Sequence, residues 1–323
     1  MRLNQTYKHT TLINNLLIAL EANKKALSLF NLSDELKFNL RRRSILHSAV
    51  YSARIENNSL TPESFTLSSK SIENLEIQNI LDTLNWLYTT NPTPTLEVKL
   101  IKDLHSRIMH NLHTQAGHFR TEQSAVFNSA GIAIYLAPPA SEVKGLMASW
   151  IKQIEESNLS LPIMVAIAHY QFEKIHPFID GNGRVGRLLT TVILKQHRLD
   201  LHGISSLEKY IENHLDGYYD YLSEEKRDIT HFVEYFLTAI SAMQEEALEK
   251  LKSGDSEQNT LFPRHQELVE VIRDHPYCTF DFLHRRFFAI PTSTLHYDLQ
   301  QLQKQKLVAR VGVSRGAMYT ATR

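Results

Sequence analysis

Twelve consecutive residues constrain this chain more than any other stretch: His176-Pro-Phe-Ile-Asp180-Gly-Asn-Gly-Arg184-Val-Gly-Arg187. Pro177 disfavours helical geometry at His176, so a helix entering the stretch must end there. Gly181 and Gly183 lack Cβ atoms, which lets the backbone turn tightly and bring its N–H groups close to an anion. The residues from Arg184 to Gln196 then resume a helical pattern. The stretch is therefore expected as a loop between two helices, its N–H groups at the positive end of the second, where phosphate is favoured.

The side chains extend the same chemistry. Arg184 and Arg187 lie three apart on the first turn of the second helix and can reach one polyphosphate. Asp180 is a hard oxygen ligand suited to Mg²⁺, which binds one or two carboxylates and completes its shell from phosphate and water. His176, just off a helix end, is placed to take a proton from an attacking hydroxyl. Asn182 can bond a phosphate oxygen or its own loop. Phe178 reads as a buried anchor.

These residues resemble the signature of the Fic family, His-x-Phe-x-Asp/Glu-Gly-Asn-Gly-Arg-x-x-Arg, at every specified position. The resemblance implies a mainly α-helical core and the transfer of AMP from ATP to a Ser, Thr or Tyr hydroxyl of a protein, with release of pyrophosphate. It implies His176 as base and Asp180 as Mg²⁺ ligand. Phe178, Gly181, Asn182, Gly183, Arg184 and Arg187 become the nucleotide-binding set, the two arginines holding the β- and γ-phosphates. The intact Gly181-Asn182-Gly183 departs from the phosphate-transferring Doc branch, which carries a bulkier, charged residue there.

Three surrounding segments fit this picture. Pro162 to Ile175 carries a largely apolar run through Ile163, Val165, Ile167 and Ala168 and reads as a buried helix leading into His176. Ala125 to Leu136 reads as two short strands around a turn at Asn128 to Gly131. In Fic proteins a hairpin here is the flap that lines up the target segment, which puts Val126, Phe127, Asn128, Ile132, Ile134 and Tyr135 on it; an exposed strand edge can hold a peptide by main-chain bonds. The third segment begins at Ser33-Asp34-Glu35 as a helix start, with apolar residues at helical spacing up to a stop at Asn57-Asn58. Its end, Ser52-Ala-Arg-Ile-Glu56-Asn57, is similar to the inhibitory motif of many Fic proteins, Ser/Thr-x-x-x-Glu-Gly/Asn. Ser52 and Glu56 are four apart, so one helix face can present both. The resemblance implies that Glu56 occupies the guanidinium fork of Arg187 and silences the enzyme.

At 323 residues and 42% hydrophobic content the chain can build one sizeable core and a small added domain. We expect helices over 1–95, a catalytic domain over 96–252, a polar linker over 253–260 and a winged helix-turn-helix over 261–323. The last rests on helical patterns at 264–273, 279–287 and from Pro291, then strands at 307–311 and 317–320 around an Arg315-bearing hairpin. Ser293, Thr294, His296 and Arg315 are its candidate DNA contacts. Protein docking or formation of a homodimer stays open beside DNA. A formal net charge of zero gives no global pull toward nucleic acid or membrane. No run suits a membrane span, Thr11 to Leu29 reads as a helix and not a signal peptide, and the single cysteine, Cys278, points to a cytoplasmic location. Two readings stand: a protein adenylyltransferase that also modifies itself, and a nucleotide-sensing DNA-binding regulator. Transfer or removal of a different phosphate-linked group is the variant of the first.

Overall fold

A computed structural model describes residues 3–30, 34–66, 69, 71–89, 94–127, 133–223, 227–252, 263–288, 290–312 and 317–322. The chain divides into two compact units, Met1–Thr61 with Leu75–Ser256, and Pro62–Asn74 with Glu257–Arg323.

The larger unit is helical. In chain order it contains α1 (Thr11–Ser28), α2 (Asp34–Ile55), α3 (Ile72–Thr89, from Leu75 onward) and α4 (Val98–Ile108). The strands β1 (Ala125–Phe127) and β2 (Ala133–Leu136) follow, then α5 (Ala140–Glu155), α6 (Leu161–Ile175) and α7 (Asn182–Gln196). A single 3₁₀ turn, Leu201–Gly203, leads to α8 (Leu207–Asn213), α9 (Leu215–Ser223) and α10 (Thr230–Lys252). The order is dictated by α6, which is buried on every side from Ile163 to Phe172. A helix buried on every side must be enclosed by neighbours, and α5, α7 and α10 enclose it. Trp150 of α5 is fully buried and donates its indole N–H to the Ala168 carbonyl at 2.9 Å. The next helix, α7, buries Val185, Leu188, Leu189, Val192 and Ile193 against the same core, and α4 packs on it in turn. Helix α2 packs against α8 and reaches α7.

The expected element ends hold within a few residues. Helix α7 starts at Asn182, two residues before the point where its apolar pattern becomes readable, because the turn itself supplies its first residues. The helix expected over 226–252 begins at Thr230, and residues 224–226 lie outside the described residues. Strands β1 and β2 pair antiparallel with Val126 opposite Tyr135. Among the described residues no helix is long and apolar enough to cross a membrane.

The smaller unit runs α11 (Pro263–Asp274), β3 (Cys278–Thr279), α12 (Phe280–Arg286), α13 (Thr292–Lys304), β4 (Val308–Val311) and β5 (Met318–Ala321). Its antiparallel sheet has the order β3-β5-β4. This is the element order of a winged helix-turn-helix. Strand β3 was not anticipated: two residues carry no periodicity, and Thr279 is also the N-cap of α12, accepting from the Phe282 N–H. Linker residues 253–260 and the hairpin tip 313–316, with Arg315, lie outside the described residues. Ser293, Thr294 and His296 lie on α13, Ser293 and His296 exposed.

The core of this unit holds one charge cluster. Asp298 of α13 is completely buried, accepts from Arg264 Nη2 at 2.9 Å and lies 3.0 Å from His265 Nε2, while Arg264 Nε stands 2.6 Å from its second oxygen. Removing one member of a buried pair leaves the other charge unpaired, at a cost of about 3–5 kcal/mol. Asp298→Ala is expected to accelerate amide exchange in α11 and α13 by roughly a hundredfold or more. Fluorescence unfolding, reported by Trp86 and Trp150 of the larger unit, should change little.

Candidate functional site

Helix α6 ends at His176, whose N–H bonds the Phe172 carbonyl at 3.0 Å and whose backbone is left-handed, φ 48 and ψ 61. For a non-glycine residue that conformation costs about 1 kcal/mol or more. The loop that follows is clamped from inside. Asn182 accepts from the Phe178 N–H at 2.9 Å and donates to the Phe178 carbonyl at 3.0 Å, so its amide serves its own loop. Phe178 is fully buried and stacks on His105 of α4, with ring centroids 3.7 Å apart and 6° between planes. His105 accepts from the Gly117 N–H through Nδ1 at 2.8 Å, so Nε2 carries the proton and donates to the Asp180 carbonyl at 3.0 Å. Gly181 has φ 78, and a Cβ there would lie 2.8 Å from Met109 Sδ. Loop and α4 are thus fitted to each other.

Two guanidiniums rise from the first turns of α7, and both are already held by carboxylates. Arg184 donates to Glu76 of α3 at 2.5 Å and to Asp180 at 3.0 Å. Glu76 also accepts from Asn58 Nδ2 at 2.7 Å. Asp180 Oδ1 accepts the Gly181 N–H at 2.6 Å, and the carboxylate is largely exposed. Arg187 is buried; its Nε donates to Ser52 Oγ at 3.0 Å, and its Nη2 donates to the Ser52 carbonyl at 2.8 Å and to Glu56 Oε1 at 2.9 Å. Burial, the largest single influence, lowers Arg187's affinity for its proton, and Glu56 together with Tyr218 and Tyr219 outweighs it. The Glu56 carboxylate also lies against the bare Cα of Gly183, where a Cβ would collide with Oε1.

The end of α2 explains how Glu56 gets there. The helix proper stops at Ile55, so Glu56 sits in the turn just past it. Asn57 follows with φ 71, and the Asn57 and Asn58 N–H groups bond the Arg54 and Ala53 carbonyls at 2.9 and 3.1 Å. This is a left-handed helix stop, for which asparagine is the usual substitute for glycine. Tyr219 of α9 donates to the Ile55 carbonyl at 3.1 Å, and Arg54 pairs with Glu212 of α8 at 2.7 Å. The helix end is fixed from two sides.

Burial lowers His176 from 6.5 to about 4, with a hydrogen bond to the Glu173 carbonyl acting against it. The ring is neutral at physiological pH and can accept a proton. Behind Arg187 lies a buried layer. His169 bonds Thr190 through Nδ1 and Tyr218 through Nε2, each at 2.9 Å, and burial brings it to about 3. Glu173 Oε1 is buried 4.0 Å from His169 Nε2 without a hydrogen-bond partner among the described residues; burial raises the carboxyl to about 8, offset in part by Arg187 and reinforced by Glu56.

The residues singled out between His176 and Arg187 thus lie on the turn between α6 and α7 and the first turns of α7, and Ser52, Glu56 and Asn57 at the end of α2. Of the hairpin residues, Val126 and Phe127 lie on β1, Ile134 and Tyr135 on β2, and Asn128 and Ile132 outside the described residues. Glu76, His105 and Glu173 were not anticipated. Only His105 left a signal: it sits in the buried stripe of α4 with Ile101, Leu104 and Ile108, a polar residue where helical spacing calls for an apolar one. Asp180 alone suits Mg²⁺ shared with phosphates, and among the described residues no cluster of three or more His, Cys, Asp or Glu forms a closed cage. The N–H groups of Asn182, Gly183 and Arg184 precede the first intrahelical bond of α7, Val185 N–H to Gly181 carbonyl at 3.0 Å, and are available to an anion.

Residues 95–194 match the model of the Fic/DOC family. The protein adenylyltransferase Fic of Drosophila virilis is 27% identical over 199 residues, 57% of this chain and 40% of that protein. The protein of the same name from Nematostella vectensis is 28% identical over 202 residues, 57% of this chain and 44% of the relative. The chain therefore spans about two fifths of the length of these curated relatives. Among solved structures, a Fic family protein from Desulfovibrio desulfuricans G20 superposes with a TM-score of 0.65 at 25% identity, over 98% of this chain and 97% of that one. Fic-1 of C. elegans shares the fold at 20% identity and a TM-score of 0.60, covering 75% of this chain and 73% of that one.

The buried groups set a pH signature. His105 and His176 at about 4 and His169 at about 3 refuse protons that the unfolded chain binds below 6.5, so their contribution to stability is lost as the solution is acidified through that window. Glu173 works in the opposite sense: at about 8 against an ordinary 4.5, its contribution is lost as pH rises through that range. Glu173→Gln should flatten the decline in denaturation free energy from about pH 6.5 to about pH 8 and leave the acid limb intact. Equal declines in both proteins would mean that Glu173 is ionised in the native chain.

Proposed function

The chain carries a Fic/DOC family domain over residues 95–194, and from that premise we propose that it is a protein adenylyltransferase, moving AMP from ATP to a hydroxyl side chain of a protein, itself included. The carrying observation is His176: a neutral histidine at the end of α6, beside the open N-terminus of α7 and two guanidiniums. The target hydroxyl gives its proton to the His176 ring while its oxygen attacks the α-phosphorus of ATP; the bond to the β-phosphate breaks and pyrophosphate leaves. Asp180 would hold Mg²⁺, which neutralises phosphate charge when bound. Arg184 and Arg187 hold the outer phosphates, and the α7 N–H groups take an oxyanion. The names of the relatives support this assignment of the transferred group.

In this reading the chain is at rest. The Glu56 carboxylate, 2.9 Å from Arg187 and packed on Gly183, competes with the γ-phosphate for one fork and turns the α-phosphate away from in-line attack. A misplacement of about 1 Å costs roughly 10²-fold in rate. The single, buried Cys278 supports a reducing, cytoplasmic setting. The smaller unit is read as the part that finds a target, with α13 offered to DNA. That contact should weaken steeply with salt, and absence of binding to a random-sequence pool in low salt would assign the unit to protein docking.

Glu56→Gly is expected to raise AMP incorporation by roughly 10²-fold, and adding Arg187→Ala should cancel the gain. In the Glu56→Gly background His176→Ala should cost roughly 10²- to 10⁴-fold while ATP still binds. Because His176 is depressed to about 4, the rate should hold from about pH 8 down to about pH 5, without the fall near 6.5 of an unperturbed imidazole. Intact-mass analysis with ATP and Mg²⁺ reads the transferred group directly. A mass gain of phosphate in place of AMP would assign the other Fic chemistry, and equal labelling of wild type and Glu56→Gly would remove the inhibitory role.

A further inference from the structure

Arg120 has no place in the chemistry above, yet it is among the most completely buried large side chains of the protein. Among the described residues no carboxylate pairs with it; its guanidinium is spent on carbonyls. Nε donates to His176 O at 2.8 Å and Nη2 approaches Ile175 O at 3.4 Å, so the cation caps the negative end of α6. Nη1 donates to Glu122 O at 3.0 Å and Nη2 to Pro138 O at 2.5 Å. Glu122 lies just before β1 and Pro138 just after β2. The Arg120 N–H, in turn, bonds Pro177 O at 3.0 Å.

One planar fork therefore grips both roots of the hairpin and the left-handed residue that carries the base. A second tie runs in parallel: the Tyr135 hydroxyl of β2 donates to Lys174 O at 2.6 Å, and Lys174 Nζ lies 4.1 Å from the centre of the Tyr135 ring. The roots are closed on each other by the Ala137 N–H to Ser124 O bond at 3.0 Å. Burying a cation without a counter-charge is costly unless its N–H groups are satisfied, and here its cost is met by carbonyls from three separate segments. Helix capping alone would need only the α6 carbonyls. The grip on Glu122 and Pro138 adds nothing to α6; what it fixes is the two hairpin roots relative to the His176 backbone.

We propose that Arg120, assisted by Tyr135, is a positioning residue that registers a target segment held on the β1–β2 hairpin against the His176 base. The proposal deepens the adenylyl-transfer reading and rests on it for its kinetic test. Arg120 touches none of the residues assigned to ATP, so its loss must act on the hydroxyl side of the reaction. A lysine keeps the charge but, lacking the fork, cannot hold three segments at once.

The test uses the full chain in the Glu56→Gly background, with radiolabelled ATP and self-modification as the reaction. Arg120→Lys should lower the maximal labelling rate by roughly tenfold or more, the scale of a sub-ångström to 1 Å misplacement, with half-saturating ATP unchanged within about twofold. Tyr135→Phe keeps the ring, removes one bond and should show the same split more weakly, which serves if Arg120→Lys does not fold. Amide exchange supplies a readout independent of activity: in Arg120→Lys the Ala137 and His176 N–H groups, which bond Ser124 O and Phe172 O, should speed up together. If the Glu56→Gly parent takes up no AMP, the transfer reading fails while exchange still judges the tether. Parental maximal rates in the folded variants, a proportional rise in half-saturating ATP, or unchanged exchange at Ala137 and His176 would overturn the proposal.

Discussion

The site depends on one constraint: a helix carboxyl end and a helix amino end are brought together inside a core by a short loop. Helix α6 delivers unsatisfied carbonyls and α7 delivers unsatisfied N–H groups and a positive field. Each end must be answered. The carbonyls of Ile175 and His176 are answered by a cation, Arg120. The N–H end is answered within the loop by Asp180, which accepts from Gly181 and Arg184, and from across the unit by Glu56 against Gly183 and Arg187. The positive field of this place belongs to the chain reversal itself.

Around that reversal the protein places charges with unequal burial. Asp180 is more than half exposed, whereas the Glu173 and Glu76 side chains are both largely covered. Burial raises both glutamates, and their neighbouring guanidiniums pull in the opposite direction. The arginines therefore sit in a field that is negative at its rim and close to neutral at its base. His169, Tyr218 and Thr190 form the floor with neutral hydrogen bonds, so that Arg187 is the dominant charge at the bottom of the site.

What the sequence reveals and what it hides follows from where the partners lie along the chain. The loop is readable because its chemistry is local: Asp180, Gly181, Asn182 and Arg184 contact one another within a few positions. Ser52, Glu56 and Asn57 are readable as a group because a helix end has its own grammar, and their contact with Arg187 over more than a hundred residues was suggested only by resemblance. Glu76 shows the limit. It lies on α3 with nothing in its surroundings that marks it as the partner of Arg184, and only the packed fold brings them to 2.5 Å. Arg120 stands in a readable segment, but its bonds go to backbone carbonyls, which have no side-chain signature to read. Asn182 was open between phosphate and loop, and the buried Phe178 backbone decides for the loop.

The bare Cα of Gly183 has a consequence for how this chain can vary. A Cβ at Gly183 would collide with Glu56 Oε1 and lie 3.0 Å from Arg187 Nη1, so any side chain there displaces the carboxylate and crowds the guanidinium in one step. The contact can be released without crowding Arg187 from the α2 side, through Glu56 itself or through the props that hold the helix end, Tyr219 on Ile55 and Arg54 on Glu212. A substitution on the α2 face changes only what Arg187 meets, whereas a side chain at Gly183 changes the loop and its partner together.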